Sequence, residues 1–136
     1  MKQEDKELLL KDLCARLPYR VKLQLYNGEL DNDVLNSIDT EEYIIVNGKD
    51  DIENIKPYLF PLSSMTEEQK EELKSLGWNF DNFEIHNVSE CLGTYREYVS
   101  HSDCFELIDW FNKNHFDYRG LIPIGLAIDA TELNIY

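Results

Sequence analysis

With 136 residues and 27 Asp plus Glu against 13 Lys plus Arg, the chain carries a net charge of −14. That field repels phosphate backbones and anionic lipid, so direct binding of nucleic acid or a membrane surface is not expected. A chain of this length hides roughly 68–70% of the surface its unfolded form exposes, enough for a real core without a disulfide, metal or cofactor.

No repeat, linker or low-complexity tract divides the sequence, and residues 1–136 read as one domain. The longest apolar stretch, from Leu121 to Ile128, is broken by Pro123 and Gly125 and falls far short of the ~20 residues of a membrane span. Charged residues dominate from Lys2 to Glu7 where a secretory leader would be apolar, and Cys14, Cys91 and Cys104 form an odd, irregular set. Free thiols in a reducing cytoplasm are the expected setting.

The expected fold class is α+β. Leu10, Leu13, Cys14 and Leu17 follow helical spacing behind Glu4, Asp5 and Glu7, which predicts an N-terminal helix stopped at Pro18. Val21, Leu23 and Leu25 then alternate with Lys22, Gln24 and Tyr26, and the pair Asn27-Gly28 signals a tight turn. Part of 30–38 and the run Tyr43-Ile44-Ile45-Val46 before Asn47-Gly48 add further strands. From about 20 to 62 these pieces predict one antiparallel unit, a small curved sheet or an SH3-like barrel.

Pro57 and Pro61 flank Tyr58, Leu59 and Phe60, which argues for an extended segment lying on the sheet instead of a helix or a central strand. Thr66 with Gln69 three residues on matches a capping box and opens a helix over about 66–76, whose apolar side is only Leu73 and Leu76. Residues 83–88 read as a strand. Ser102 can cap a last helix over about 103–115 with Ile108 and Phe111 on its inner face, and His115 at its end. The tail from Leu126 to Ile128 and Leu133 to Ile135 adds a short strand or covers the core.

Three stretches carry a resemblance. They are Leu8-Leu9-Leu10-Lys11-Asp12-Leu13-Cys14-Ala15-Arg16-Leu17-Pro18-Tyr19, then Ile55-Lys56-Pro57-Tyr58-Leu59 through Ser63-Ser64-Met65-Thr66-Glu67-Glu68, and Asn114-His115-Phe116-Asp117-Tyr118-Arg119-Gly120-Leu121-Ile122. Together they resemble a family of small acidic proteins in gut Bacteroidetes genomes, many in phage-like or mobile regions. The resemblance implies a bacterial or phage cytoplasmic setting. It implies no activity, cofactor or site residue.

Two groups of residues suggest chemistry. His86, Cys91, His101 and Cys104 are zinc-type ligands, and His101 and Cys104 have a common ligand spacing, but the other gaps fit no standard zinc site. His115, Asp117 and Arg119 lie close enough in sequence for proton transfer. A structural arrangement, with His115 at the helix end and Asp117 paired to Arg119, explains them more simply. A cysteine nucleophile needs a neighbour that favours the thiolate, whereas Cys14 falls on the apolar stripe and Cys91 follows Glu90. No phosphate loop, nucleophile elbow or metalloprotease motif occurs.

The surface charge is the remaining signal. Between Glu29 and Glu53 nine carboxylates face the single base Lys49. The sequence therefore predicts a non-enzymatic protein-interaction module that binds a partner, preferably basic, through Asp31, Asp33, Glu41 and Glu42. An acidic inhibitor mimicking nucleic acid is the alternative within binding. A small enzyme or metal protein using His86, Cys91, His101 and Cys104 is the alternative outside it.

Overall fold

The computed structural model describes residues 1–25, 33–45, 50–76, 78 and 101–136, without the side chains of 33 and 101–105. Its first element is α1 (Gln3–Arg16), continued by a 3₁₀ turn, Leu17–Tyr19, in which Pro18 is tolerated because the opening N–H groups of a helix have no partner to lose. The inner face of α1 is Leu9, Asp12, Leu13 and Arg16, while Cys14 is exposed. The apolar stripe expected through Leu10, Cys14 and Leu17 is thus rotated, because a buried ion pair takes two of the inward positions.

Four strands form the main sheet: β1 (Lys22–Gln24), β2 (Asp33–Val34), and, later in the chain, Lys56–Leu59 and Ile128–Asp129. Between them lies a separate meander of β3 (Ile38–Asp39), β4 (Ile44–Ile45) and β5 (Asp50–Asp51). With Lys56–Leu59 as β6 and Ile128–Asp129 as β7, the main sheet runs β2-β1-β6-β7, and β6 pairs with β7 in parallel. Among the described residues, 20–62 therefore form parts of two sheets and not one antiparallel unit, and those sheets do not close into a barrel. The strands are two to four residues long, and a 3₁₀ turn, Ile52–Asn54, separates β5 from β6. The pairs Asn27-Gly28 and Asn47-Gly48, and the strand expected over 83–88, lie outside the described residues.

The position of β6 corrects a second expectation, since a strand carrying Pro57 occupies the centre of the sheet. Its pleat explains the tolerance. The Leu59 carbonyl turns toward β7 and accepts from the Ala130 N–H at 2.8 Å. Alternation points the Pro57 nitrogen to that same side. There β7 has not begun, because its register starts at Tyr58↔Ile128. The ring therefore removes no ladder bond from β7.

β6 also divides the interior. Leu59 joins Leu9, Leu13, Val21, Leu23, Ile45 and Ile52 in a core beneath α1. Phe60, on the opposite face of the strand, packs against the second core of Leu62, Leu73, Trp78, Leu107, Trp110, Phe111 and Phe116. That core lies against α2 (Glu67–Ser75) and α3 (His101–Lys113). α2 begins with the full capping box: the Gln69 N–H donates to the Thr66 hydroxyl, and the Gln69 side-chain oxygen accepts from the Thr66 N–H. Leu73 is its one buried residue, in keeping with a helix lying at the surface. The backbone then reverses at His115, whose φ of 62° is left-handed. The Phe60 N–H donates to the His115 carbonyl, and the Asp117 N–H to the Phe60 carbonyl, both at 2.8 Å, so the segment after α3 extends the edge of β6.

Candidate functional site

The meander carries the acidic surface in a defined arrangement. Across β3, β4 and β5, Asp39 lies opposite Ile44 and Ile44 opposite Asp51, while Ile38, Ile45 and Asp50 form the adjacent row. Ile45 is fully buried, so Asp39, Ile44 and Asp51 share the face turned away from the core. Asp39 and Asp51 are also local braces. Asp39 Oδ1 accepts from the Glu41 and Glu42 N–H groups at 3.0 and 3.2 Å, and Asp51 Oδ1 accepts from the Glu53 N–H at 3.1 Å.

Glu41 and Glu42 are different. Both are exposed on the turn pinned by Asp39 and closed by Tyr43 at φ 54°, and their carboxylates make no hydrogen bond or ion pair among the described residues. Glu53 is spoken for by Lys6 at 2.8 Å, and that neighbour pulls its carboxyl below the ordinary range. Of the four predicted partner-binding residues, Asp33 lies in β2, on the main sheet, Glu41 and Glu42 lie together on the meander turn, and Asp31 falls outside the described residues.

The stretch from His115 to Gly120 is committed to structure. Asp117 is 4% exposed, and its two oxygens accept from the Leu121 and Ile122 N–H groups at 2.8 and 2.9 Å. Burial pushes its pKa up, and those N–H bonds pull it back. Arg119 does not pair with Asp117, as expected from sequence. It reaches Asp12 Oδ1 on α1 at 3.0 Å instead. Asp12 is fully buried and also receives Arg16 Nε at 2.7 Å, while Arg16 Nη2 donates to the Phe116 carbonyl at 2.6 Å. Both guanidinium groups lie over the Tyr118 ring, at 5.1 Å for Arg16 and 4.6 Å for Arg119. Such contacts favour a cation held out of water.

His115 is held neutral. Burial, with the Arg16 and Lys22 charges nearby, lowers its pKa to about 4. Its ring stacks on Tyr136 at 3.9 Å and 14°. The Tyr136 hydroxyl accepts from the Lys22 N–H at 2.9 Å and donates to the Tyr58 carbonyl at 2.8 Å; burial raises its pKa to about 12, although the Lys22 N–H bond pulls the other way. Sequence reasoning passed over Tyr136 and the Asp12–Arg16–Arg119 group, because neither has a local pattern.

The thiol and imidazole group is not assembled into a site by the described residues. His86 and Cys91 lie outside them, and His101 and Cys104 are backbone positions in the first turn of α3. Among the described residues no group of three or more His, Cys, Asp or Glu is placed to hold a metal. Partial burial pushes the Cys14 thiol up, away from the thiolate a nucleophile needs. No helix among the described residues is long and apolar enough to cross a membrane. No protein-family model matches the chain, and no curated protein or solved structure does so either.

Proposed function

We propose that the protein binds a basic protein partner through its acidic β region and turns over no substrate. The observation that carries this reading is the pair Glu41 and Glu42, exposed on a braced turn and in no ion pair among the described residues. Asp39 and Asp51 extend the negative face behind them. Carboxylates already neutralised by lysine or arginine would offer a partner little field, and among the described residues Glu41 and Glu42 form no such pair. The potential steers an oppositely charged protein during encounter and acts mainly on the association rate.

The test compares the wild-type chain with a variant carrying Asp31→Lys, Asp33→Lys, Glu41→Lys and Glu42→Lys. Affinity purification from the native cell supplies the partner, and binding of the purified pair is followed over a range of salt concentrations. The expected result is an association rate that falls with salt for the wild type and is roughly tenfold lower for the variant. Unchanged rates with unchanged salt dependence would leave the acidic region as a solvated face and overturn the proposal.

A further inference from the structure

A cleft of about 300 Å³ opens beside the second core, lined by Phe60, Ser64, Thr66, Gln69, Phe116 and Thr131. In a chain of net charge −14, none of these six side chains is ionisable. Their free hydrogen-bonding groups follow from the bonds already made. The Thr66 hydroxyl accepts from the Gln69 N–H, which leaves its own proton to donate. Gln69 must turn its side-chain oxygen to the Thr66 N–H at 2.9 Å, which leaves its NH₂ group to donate.

The other two hydroxyls have the opposite polarity. Ser64 donates to the Pro61 carbonyl at 2.7 Å, and Thr131 donates to the Asp129 carboxylate. Each keeps oxygen lone pairs to accept. Half-buried Phe60 adds an apolar wall, backed by the buried Phe116 ring with centroids 6.2 Å apart and planes at 57°. Two donors on the α2 side, two acceptors from Ser64 and Thr131, and the apolar wall of Phe60 match a small neutral ring bearing several hydroxyls. The volume lies at the lower end of small-molecule sites, which run from about 300 to 1,000 Å³.

We infer that this cleft is a binding site for a neutral pyranose sugar. An anionic sugar finds no cation among the lining residues and meets the field of a negative protein. A purely apolar ligand would leave the four polar groups without partners. The inference is independent of the acidic β region, which lies on other elements.

Gln69→Glu provides a discriminating variant. Glutamate is a native capping-box residue and still accepts from the Thr66 N–H, so the start of α2 is preserved. It replaces the free NH₂ donor by a carboxylate oxygen. Amide NMR of the full chain is titrated with glucose, galactose, N-acetylglucosamine and glucuronate. Saturable shifts at Gln69 and Thr131 are expected for at least one neutral sugar and not for glucuronate. Gln69→Glu is expected to weaken that binding at least about fivefold, the effect of one lost hydrogen bond, with the thermal midpoint kept within a few degrees. Absence of saturable shifts, equal response to glucuronate, or binding unaffected by Gln69→Glu would each overturn the site.

Discussion

Asp12 has no exposed surface, yet it sits between two guanidinium groups and ties α1 to residues more than a hundred positions away. Removing the carboxylate leaves Arg16, also without exposed surface, as an uncompensated buried charge. Breaking such a pair from one side costs about 3–5 kcal/mol. Asp12→Ala is therefore expected to lower the unfolding free energy by that amount in urea titration, whereas Arg119→Ala costs less because its side chain keeps 17% exposure. A loss below 1 kcal/mol for Asp12→Ala would show that the group is replaceable. The sequence pattern assigns the inner face to Leu10, Leu13, Cys14 and Leu17, which leaves Asp12 and Arg16 off it. Phe116 and Arg119 arrive from the far end of the chain to meet both residues inside, and no local pattern announces such a contact.

His115 makes a pH prediction at the same scale. Its pKa falls from 6.5 to about 4 on folding, through burial and the charges of Arg16 and Lys22. The unfolded chain takes up this proton below pH 6.5, whereas the folded chain resists until about pH 4, so stability declines as pH falls through that window. The full shift corresponds to about 3 kcal/mol, which partial exposure of the ring reduces to about 1–2 kcal/mol. Asp117 acts in the opposite sense, since burial raises its pKa and the folded chain takes up that proton first. His115→Asn keeps a residue that tolerates the left-handed backbone and removes the titration. The loss of stability between pH 7 and pH 5, measured by urea titration, is expected to shrink in this variant. An unaltered loss would assign the acid sensitivity to other groups.

At the scale of elements, patterns confined to a few residues were readable. The Thr66–Gln69 capping box, the alternation of Val21 and Leu23, and the surface placement of α2 depend on neighbours within four positions, and they appear as expected. Sheet topology depends on pairing between distant segments. β6 becomes central because β7 arrives from residues 128–129 on one side, and Pro57 is harmless because β7 pairs only from Tyr58 onward. The candidate surface shows the same division: the acidic turn could be read as a charge run, while the meander that presents it required cross-strand register.

Tyr136 shows why the end of β1 is hard to read. Its hydroxyl bridges the Lys22 N–H and the Tyr58 carbonyl, where β1 and β6 part to admit the segment after α3. Tyr136→Phe keeps the stack on His115 but leaves the Lys22 N–H without the hydroxyl it donates to. The expected loss is about 1–3 kcal/mol, the cost of leaving such a donor unsatisfied. Hydrogen exchange at the Lys22 amide is expected to accelerate in parallel. A variant with unchanged exchange at Lys22 would show that the bridge contributes nothing to the strand end.

At the scale of the whole molecule, 27 acidic residues against 13 basic ones make self-repulsion the leading long-range term. Salt acts on two opposing sets. It screens the repulsion, and it weakens exposed pairs such as Lys70–Glu67 and Lys74–Glu71. Each such pair contributes about 0–1 kcal/mol at most, while the Asp12–Arg16 pair is buried and largely insulated from screening. Repulsion therefore decides the sign. Raising ionic strength from about 0.01 M to 0.3 M, which shortens the screening length from about 30 Å to below 8 Å, is expected to raise the urea midpoint without changing the slope of the transition. Glu41→Lys with Glu42→Lys relieves the same repulsion at an exposed turn, so the variant should be more stable than wild type at low salt and should gain less from added salt. The substitutions that weaken partner binding would then strengthen the fold, and the two effects separate a retained binding surface from a loss of structure. A urea midpoint that falls with salt would mean that attractive pairs outweigh the net charge, and would remove the stability argument for a costly acidic face.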